Sequence, residues 1–439
     1  MVNTTKGQAL YARARAVIPG GTQLLSKRPE MFLPGAWPGY YASAKGITIT
    51  DLDGNTFKDF SIGGVGATIL GYADPDVDAA VKAAIDGGTM STLNPPEEVM
   101  LAERLIELHP WADMARFSRA GGEAMAVAVR IARTFTGRAT LAFCGYHGWH
   151  DWYLSANLAE DGTLDGHLLP GLDPKGVPPG LKGLMQPFHY NNLGELRQIA
   201  SAHGPDLAAI VMEPVRDSEP DPDFLAGVRE IADQTGAVLL FDEVTAGFRI
   251  NTGGIHLTLD IAPDMAVFAK ALGNGYPISA IIGRGDIMQA AQESFISSTM
   301  WTERVGPVAA LAMLDKHERE DVPARLVKTG QAVKQVWRDA AAHTGLEVHI
   351  RGLDPLAHLG FHGDDADAQR TLFTQEMLDR GFLAGTAFYA MAAHTDSDIT
   401  DYGDACREVF GLIASAQATG SVENRLRGPI AHAGFKRLT

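Results

Sequence analysis

The middle of the chain carries five short runs built almost wholly of small and apolar residues: Ala139–Cys144, Leu207–Met212, Ala237–Phe241, Ala266–Ala269 and Ser279–Gly283. No other feature constrains the fold so tightly. A strand with one wet face alternates apolar and polar residues, whereas a strand covered on both faces reads as a continuous apolar run. The runs therefore predict a sheet sandwiched between helices. Between the second and third runs, Phe224, Leu225, Val228, Ile231 and Ala232 fall at helical spacing. Gly236 then stands where a helix C-terminus favours positive φ. Strand, helix, strand in this rhythm is an α/β layer with a mostly parallel sheet.

The two ends read differently. Gly46 to Phe60, GITITDLDGNTFKDF, alternates around the turn signal Asp53-Gly54, the local chemistry of a β-hairpin. After about Pro323 a helix is followed by mixed short segments. The expected division is a small-domain segment 1–65, a large domain 66–315 and a C-terminal small-domain segment 316–439. With 46% hydrophobic and 21% charged residues, the chain has the composition of a globular protein rather than a disordered one. Its 37 basic residues against 53 acidic ones give a net charge of −16, without a basic stripe. Such a chain suits neither nucleic acid nor an anionic membrane surface. No uncharged apolar run approaches the roughly 20 residues that span a bilayer. Met1 to Ala16 lacks the apolar core of a signal peptide. Cys144 and Cys406 offer neither a disulfide framework nor zinc spacing. A cytoplasmic enzyme is expected.

Four places carry candidate chemistry. In VLLFDEV, Asp242 closes an apolar run, where an acid is costly unless paired or used. Strand geometry puts Asp242 and Val244 on one side and Glu243 on the other. Taken alone, such a pair reads as a structural carboxylate capping the next turn. Lys270 closes the following run and precedes Gly273 and Gly275. Desolvation there would leave its amine nucleophilic, as Schiff-base chemistry needs, and a lysine snorkelling at a domain edge is the other reading. An acid and an amine ending successive strands suggest pyridoxal 5'-phosphate, an electron sink whose ring nitrogen needs a carboxylate. Ala120, Gly121 and Gly122 precede a helical pattern that runs to Gly137, so they form either an anion cradle or a simple turn. In FCGYHGWHDWY, Tyr146 could stack on a flat ring with His147 beside it. His147 and His150 lack a third metal ligand, and an ordinary aromatic loop is the alternative. The run GGVGATILG, Gly63 to Gly71, mimics a dinucleotide loop with its third glycine out of register.

In this order and spacing, AGGEA, GYHG, MEPV, FDEV and FAKALGNGYP resemble the class III pyridoxal-phosphate aminotransferases, in the glutamate-1-semialdehyde aminomutase-like branch. IPGGT, DLDGNTFKDF, LAERL and AHTDSDI extend the resemblance over nearly the whole chain. It implies fold type I, with a mostly parallel seven-stranded sheet in the large domain and a smaller α+β domain built from both chain ends. It also implies that Lys270 is the Schiff-base lysine and Asp242 the partner of the ring nitrogen. Val244 and Tyr146 would flank the ring, with His147 nearby, Gly121 and Gly122 would hold the phosphate, and Glu213 of MEPV would lie close to the cofactor. A threonine of a partner subunit reaches the phosphate in this family. Thr302, spaced to Pro307, fits that pattern, Thr299 competes, and Thr302 could equally cap the helix near Pro307. The implied assembly is a homodimer with shared active sites.

This chain departs from the family in three places. Ala120-Gly121-Gly122 replaces the usual Ser-Gly-Thr and removes two hydroxyls, so backbone amides or another residue must compensate. SSTMWTERVGP alters the interface side of the pocket. The arginine that meets a substrate carboxylate in the aminomutases does not align cleanly, and Arg28 and Lys27 are its candidates. The expected reaction moves an amino group from an amino donor to an aldehyde or ketone acceptor, a sugar or another non-standard carbonyl among them. Intramolecular amino transfer of the aminomutase type is the alternative, and a racemase or epimerase shares the scaffold. From other classes, a nicotinamide-dependent dehydrogenase would use Gly63–Gly71, and a catalytically silent binding protein would have no use for an intact Lys270 and Asp242.

Overall fold

The apolar runs become the central strands of one sheet in the computed structural model, which describes residues 2–159, 162–167, 171–215, 217–420 and 422–434. Its strands in chain order are β1 (Met114–Ser118), β2 (Thr140–Cys144), β3 (Met185–Pro187), β4 (Leu207–Met212), β5 (Val238–Asp242), β6 (Met265–Phe268) and β7 (Ser279–Gly283). They lie in the order β1-β7-β6-β5-β4-β2-β3. β7 runs antiparallel to both neighbours, and every other pairing is parallel. All residues of β2, β4, β5, β6 and β7 are buried, which is why their sequences do not alternate. The two outer strands escaped the sequence pattern. β1 is only half-buried and carries Arg116, and β3 has three residues ending in Pro187, a residue that a sheet accepts at its edge.

The helix Gly121–Thr136 seals one face of this sheet. Its Ala124, Ala128, Ile131 and Ala132 pack in one core with Leu141, Phe143, Leu240, Val267 and Ile281, all fully buried. Each such large side chain contributes about 1.5–3 kcal/mol on burial. The helix ends at Gly137, φ +67°, and the helix Phe224–Thr235 ends at Gly236, φ +68°. Both glycines supply the left-handed cap that side chains resist.

The chain divides into two compact units, Met1–Asp74 with Ala324–Thr439, and Pro75–Pro323. The breaks lie beyond residues 65 and 315 for local reasons. Tyr72 bridges back to Gly46 and so stays with the first unit, and the helix Val305–Arg319 runs past 315 within the second. In the first unit, Thr48–Asp51 and Thr56–Phe60 form the hairpin, with Ile49 opposite Phe57. Its turn is tied by Asp51, whose Oδ1 accepts from the backbone N–H of Asp53 (2.9 Å) and Asn55 (2.8 Å). Phe382–Ala384 pairs parallel with Thr56–Phe60, so residues from both ends of the chain share a sheet. Phe60 stacks on Tyr402, 4.2 Å apart, in its core. Gly63–Gly66 makes a single turn, and the Thr68 hydroxyl donates to the Gly63 carbonyl (3.0 Å). Gly64 and Val65 hold left-handed φ of +61° and +62°, so the turn does not run on into the regular helix that a dinucleotide loop opens. Among the described residues no helix is long and apolar enough to cross a membrane.

Candidate active site

Two carboxylates end β5, and the structure sends them to opposite sides. Asp242 is buried; its Oδ1 accepts the Val244 N–H (3.0 Å), and its Oδ2 lies 2.8 Å from His147 Nδ1. His147 Nε2 lies 3.0 Å from the Cys144 carbonyl. A carbonyl only accepts, so Nε2 carries a hydrogen, and the contact with Asp242 needs a second one. The imidazole and carboxyl together therefore hold two protons in hydrogen bonds. Both ring nitrogens are engaged, and among the described residues no three His, Cys, Asp or Glu side chains could hold a metal. Glu243 turns away and accepts from His256 at both its backbone N–H (3.0 Å) and Nδ1 (2.6 Å). The Trp111 indole donates to His256 Nε2 (2.9 Å), which fixes that tautomer. His109 stacks on His256 at 5.6 Å, and burial pulls its pKa from 6.5 down to about 4. Of the two carboxylates, Glu243 is held in a structural pair with His256, and Asp242 lies buried against His147.

Lys270 opens a short turn directly after β6 and holds φ at +44°, a strained value for a residue with a side chain. Such strain costs about 1–3 kcal/mol and persists where the surroundings fix it. Its Nζ donates to Thr245 Oγ1 at 2.9 Å. Thr245 was not visible as a site residue; its one sequence signal is its place immediately after Asp242-Glu243-Val244. β5 and β6 are parallel neighbours, with Asp242 opposite Val267, so the turns that carry Asp242, Thr245 and Lys270 emerge at the same edge of the sheet.

The helix Gly121–Thr136 points its start at this edge. A Cβ on Gly121 would lie 3.0 Å from Val244 Cγ1 and 3.5 Å from the Ala269 Cβ, so a larger residue there would press on Val244. Ala120 offers no capping side chain, and the first-turn amides keep their hydrogens for an anion. Ser279 Oγ holds the Ala120 carbonyl (3.3 Å) and bonds Ser118 Oγ (2.7 Å). On the loop after β2, Tyr146 stands edge-on to Tyr153 at 5.8 Å, and the Tyr153 hydroxyl donates to the Gly145 carbonyl (2.9 Å). The aromatic loop is thus both a packed core and the support of Tyr146 and His147. Glu213 follows β4; its Oε2 accepts the Tyr146 N–H at 3.2 Å.

Thr299–Thr302 is a short turn whose two threonines are exposed, and the Thr302 hydroxyl donates to the Thr299 carbonyl (3.0 Å). Thr302 does not cap the following helix. Glu303 does, accepting the N–H groups of Val305 (2.7 Å) and Gly306 (2.9 Å). Arg119 anchors the turn through the Trp301 and Glu303 carbonyls, both at 2.9 Å. Lys27 and Arg28 belong to the other unit, where Lys27 stabilises the buried Asp59 carboxylate against the upward pull of burial.

A strand-end amine, a carboxylate buried with its proton-sharing imidazole, and a helix start with open amides fit pyridoxal phosphate in amine, ring-nitrogen and phosphate partners. The comparisons with known proteins agree. The family model for class III aminotransferases matches residues 36–393. The 2'-deamino-2'-hydroxyneamine transaminase of Streptomyces kanamyceticus is 34% identical over 371 residues, covering 82% of this chain and 89% of the relative. Glutamate-1-semialdehyde 2,1-aminomutase of Nitratidesulfovibrio vulgaris is 34% identical over 429 residues, covering 92% and 99%. Among solved structures, the FumI protein of Sphingopyxis sp. MTA144 with pyridoxal phosphate matches at a TM-score of 0.86 and 27% identity, covering 96% of this chain and 100% of that one. The dehydrogenase reading falls with the missing dinucleotide loop and with this match. A correspondence that runs through both units leaves one family: the chain belongs to the class III aminotransferases, and its cofactor is pyridoxal phosphate.

Proposed function

We propose that this aminotransferase works between two separate molecules, an amino donor and a carbonyl acceptor, with Lys270 and Asp242 as its catalytic residues. The observation that carries the reading is the convergence of Gly121, Val244, Thr245 and Lys270 on one sheet edge beside Asp242. Bound pyridoxal phosphate supplies an electron sink for the pair left behind when a proton leaves the carbon bearing the amine. Lys270 Nζ, oriented by Thr245, takes that proton and returns it one position away. Asp242, held by His147, keeps a negative charge against the ring nitrogen. The amides of Gly121 and Gly122 hold the phosphate, Val244 and Tyr146 flank the ring, and Glu213 fixes the backbone under Tyr146. Lys27 and Arg28 are the candidates for a substrate carboxylate.

The 34% identity to a 2'-deamino-2'-hydroxyneamine transaminase supports a sugar-like or other non-standard carbonyl as the acceptor, and an equal identity to an aminomutase keeps intramolecular transfer as the second reading. Initial rates with donor and acceptor varied independently separate the two. A transaminase gives parallel double-reciprocal lines and no turnover when either substrate is omitted. Sustained turnover of one compound without a second sinks the proposal. We place the enzyme in the cytoplasm, where its two free, buried thiols, Cys144 and Cys406, remain reduced.

The assembly proposed is a homodimer. Met90, Leu93, Val99, Met100 and Met300 are exposed, Leu93 by 79%. Arg304 gathers their segments: its N–H donates to the Thr89 carbonyl (2.9 Å) and its guanidinium grips Glu97 at 2.7 and 3.0 Å. An apolar surface of this kind beside Thr299 and Thr302 suits a second copy, whose phosphate one of these threonines would reach. Hybrid dimers of Lys270→Ala and Thr302→Ala chains check this. If sites are shared, one site of each hybrid carries both lesions and the other none, and the hybrid recovers about half of wild-type activity. Activity no higher than the Thr302→Ala parent contributes would refute sharing through Thr302.

A further inference from the structure

The helix start that receives the phosphate lacks the family's two hydroxyls, and the structure shows what stands in the space of one of them. Gly122 is not at positive φ, so conformational freedom does not explain its identity. Space does. A Cβ there would lie 3.1 Å from His150 Nδ1 and 3.3 Å from Cε1, so the imidazole occupies the volume of a side chain at position 122. His150 Nδ1 is buried and has no hydrogen-bond partner. An unmet polar atom in that position is costly unless something completes it. The ring is fixed from both directions. Trp149 stacks on it at 4.3 Å, and the His150 carbonyl accepts the N–H groups of Tyr153 (2.9 Å) and Leu154 (3.1 Å). Burial lowers the His150 pKa while Glu123 opposes that shift, and a bound dianion would add to the opposition.

We propose that His150 is a cofactor-binding residue whose Nδ1–H donates to the phosphate, in place of the hydroxyls missing at Ala120 and Gly122. The proposal rests on the reading that Gly121 and Gly122 hold that phosphate. A neutral histidine with its hydrogen on Nδ1 supplies one charge-assisted hydrogen bond, the kind a threonine hydroxyl would have given.

The test is equilibrium binding of pyridoxal phosphate and of pyridoxal to the full chain stripped of cofactor, followed by the visible absorption band. His150→Ala should weaken pyridoxal phosphate about 10- to 100-fold and leave pyridoxal within about twofold of wild type. Gly122→Thr in that background has the vacated volume for its hydroxyl and should restore most of the lost affinity. Gly122→Thr with His150 present should weaken binding, because the two side chains collide. Unchanged phosphate affinity in His150→Ala overturns the proposal, and so does an equal loss for both ligands, which would mark the ring as packing only. Gly122→Asp places a negative charge at the helix start. If pyridoxal phosphate still binds normally to that variant, the phosphate lies elsewhere and both readings fall. If it does not bind while His150→Ala is silent, only the role of His150 falls.

Discussion

Lys270→Ala should abolish turnover while the protein keeps its fold. In the proposed mechanism this amine bonds the cofactor aldehyde and carries a proton, and alanine can do neither. Proton transfer by a positioned side chain accounts for about 10²–10⁴-fold of rate, and loss of the covalent link adds to that. The fold should survive, because Lys270 is only partly buried and lies in a turn beyond the end of β6, outside the apolar core of the sheet. Alanine at φ +44° keeps the strain that lysine already bears. Three measurements check this: turnover, a thermal melt, and borohydride trapping followed by peptide mass spectrometry. Trapped cofactor on another lysine, or a variant with appreciable turnover, would show that the amine has been misassigned.

Asp242→Asn should retain part of its cofactor binding and lose most of its rate. Asparagine can still accept the Val244 N–H, which Asp242 Oδ1 does at 3.0 Å, so the backbone after β5 should keep its course. What it cannot do is hold a negative charge beside His147. The proton between His147 Nδ1 and the carboxyl loses its anionic acceptor, while the one on Nε2 keeps the Cys144 carbonyl, and the ring nitrogen loses its negative partner. Loss of a charge-assisted hydrogen bond alone costs about 1.5–3 kcal/mol, roughly 10- to 100-fold in rate, before the electronic effect on the ring. Single-turnover kinetics with a saturating amino donor read the effect directly. A rate near that of wild type would remove Asp242 from the catalytic set.

Much of this was legible in the residues because it is locally encoded. Burial on both faces suppresses alternation, so β2, β4, β5, β6 and β7 appear in the sequence as unbroken apolar runs. Helical period and a terminal glycine located the helices that end at Gly137 and Gly236. β1 and β3 hid because Arg116 breaks one pattern and three residues are too few for the other. Arg116 is tolerated because its guanidinium lies over the Trp301 ring at 5.9 Å, a contact made far away in the chain.

The same division runs through the site. Asp242 and Lys270 stand out as candidates in the sequence because an ionisable group that ends an apolar strand is energetically conspicuous wherever it occurs. Their partners could not. That Asp242 shares protons with His147, that Glu243 serves His256 instead, that Thr245 orients Lys270 and that Glu303 rather than Thr302 caps a helix all depend on meetings of side chains. His150 is the sharpest case. In sequence it is one aromatic among several, and its buried, unanswered nitrogen beside Gly122 exists only once the loop after β2 lies against the helix start. By itself the sequence determined which segments are buried and which groups are chemically exceptional, since solvation acts on each residue where it stands. The tertiary structure decided what each group is bonded to, because strand order and register set which distant atoms come within hydrogen-bonding reach.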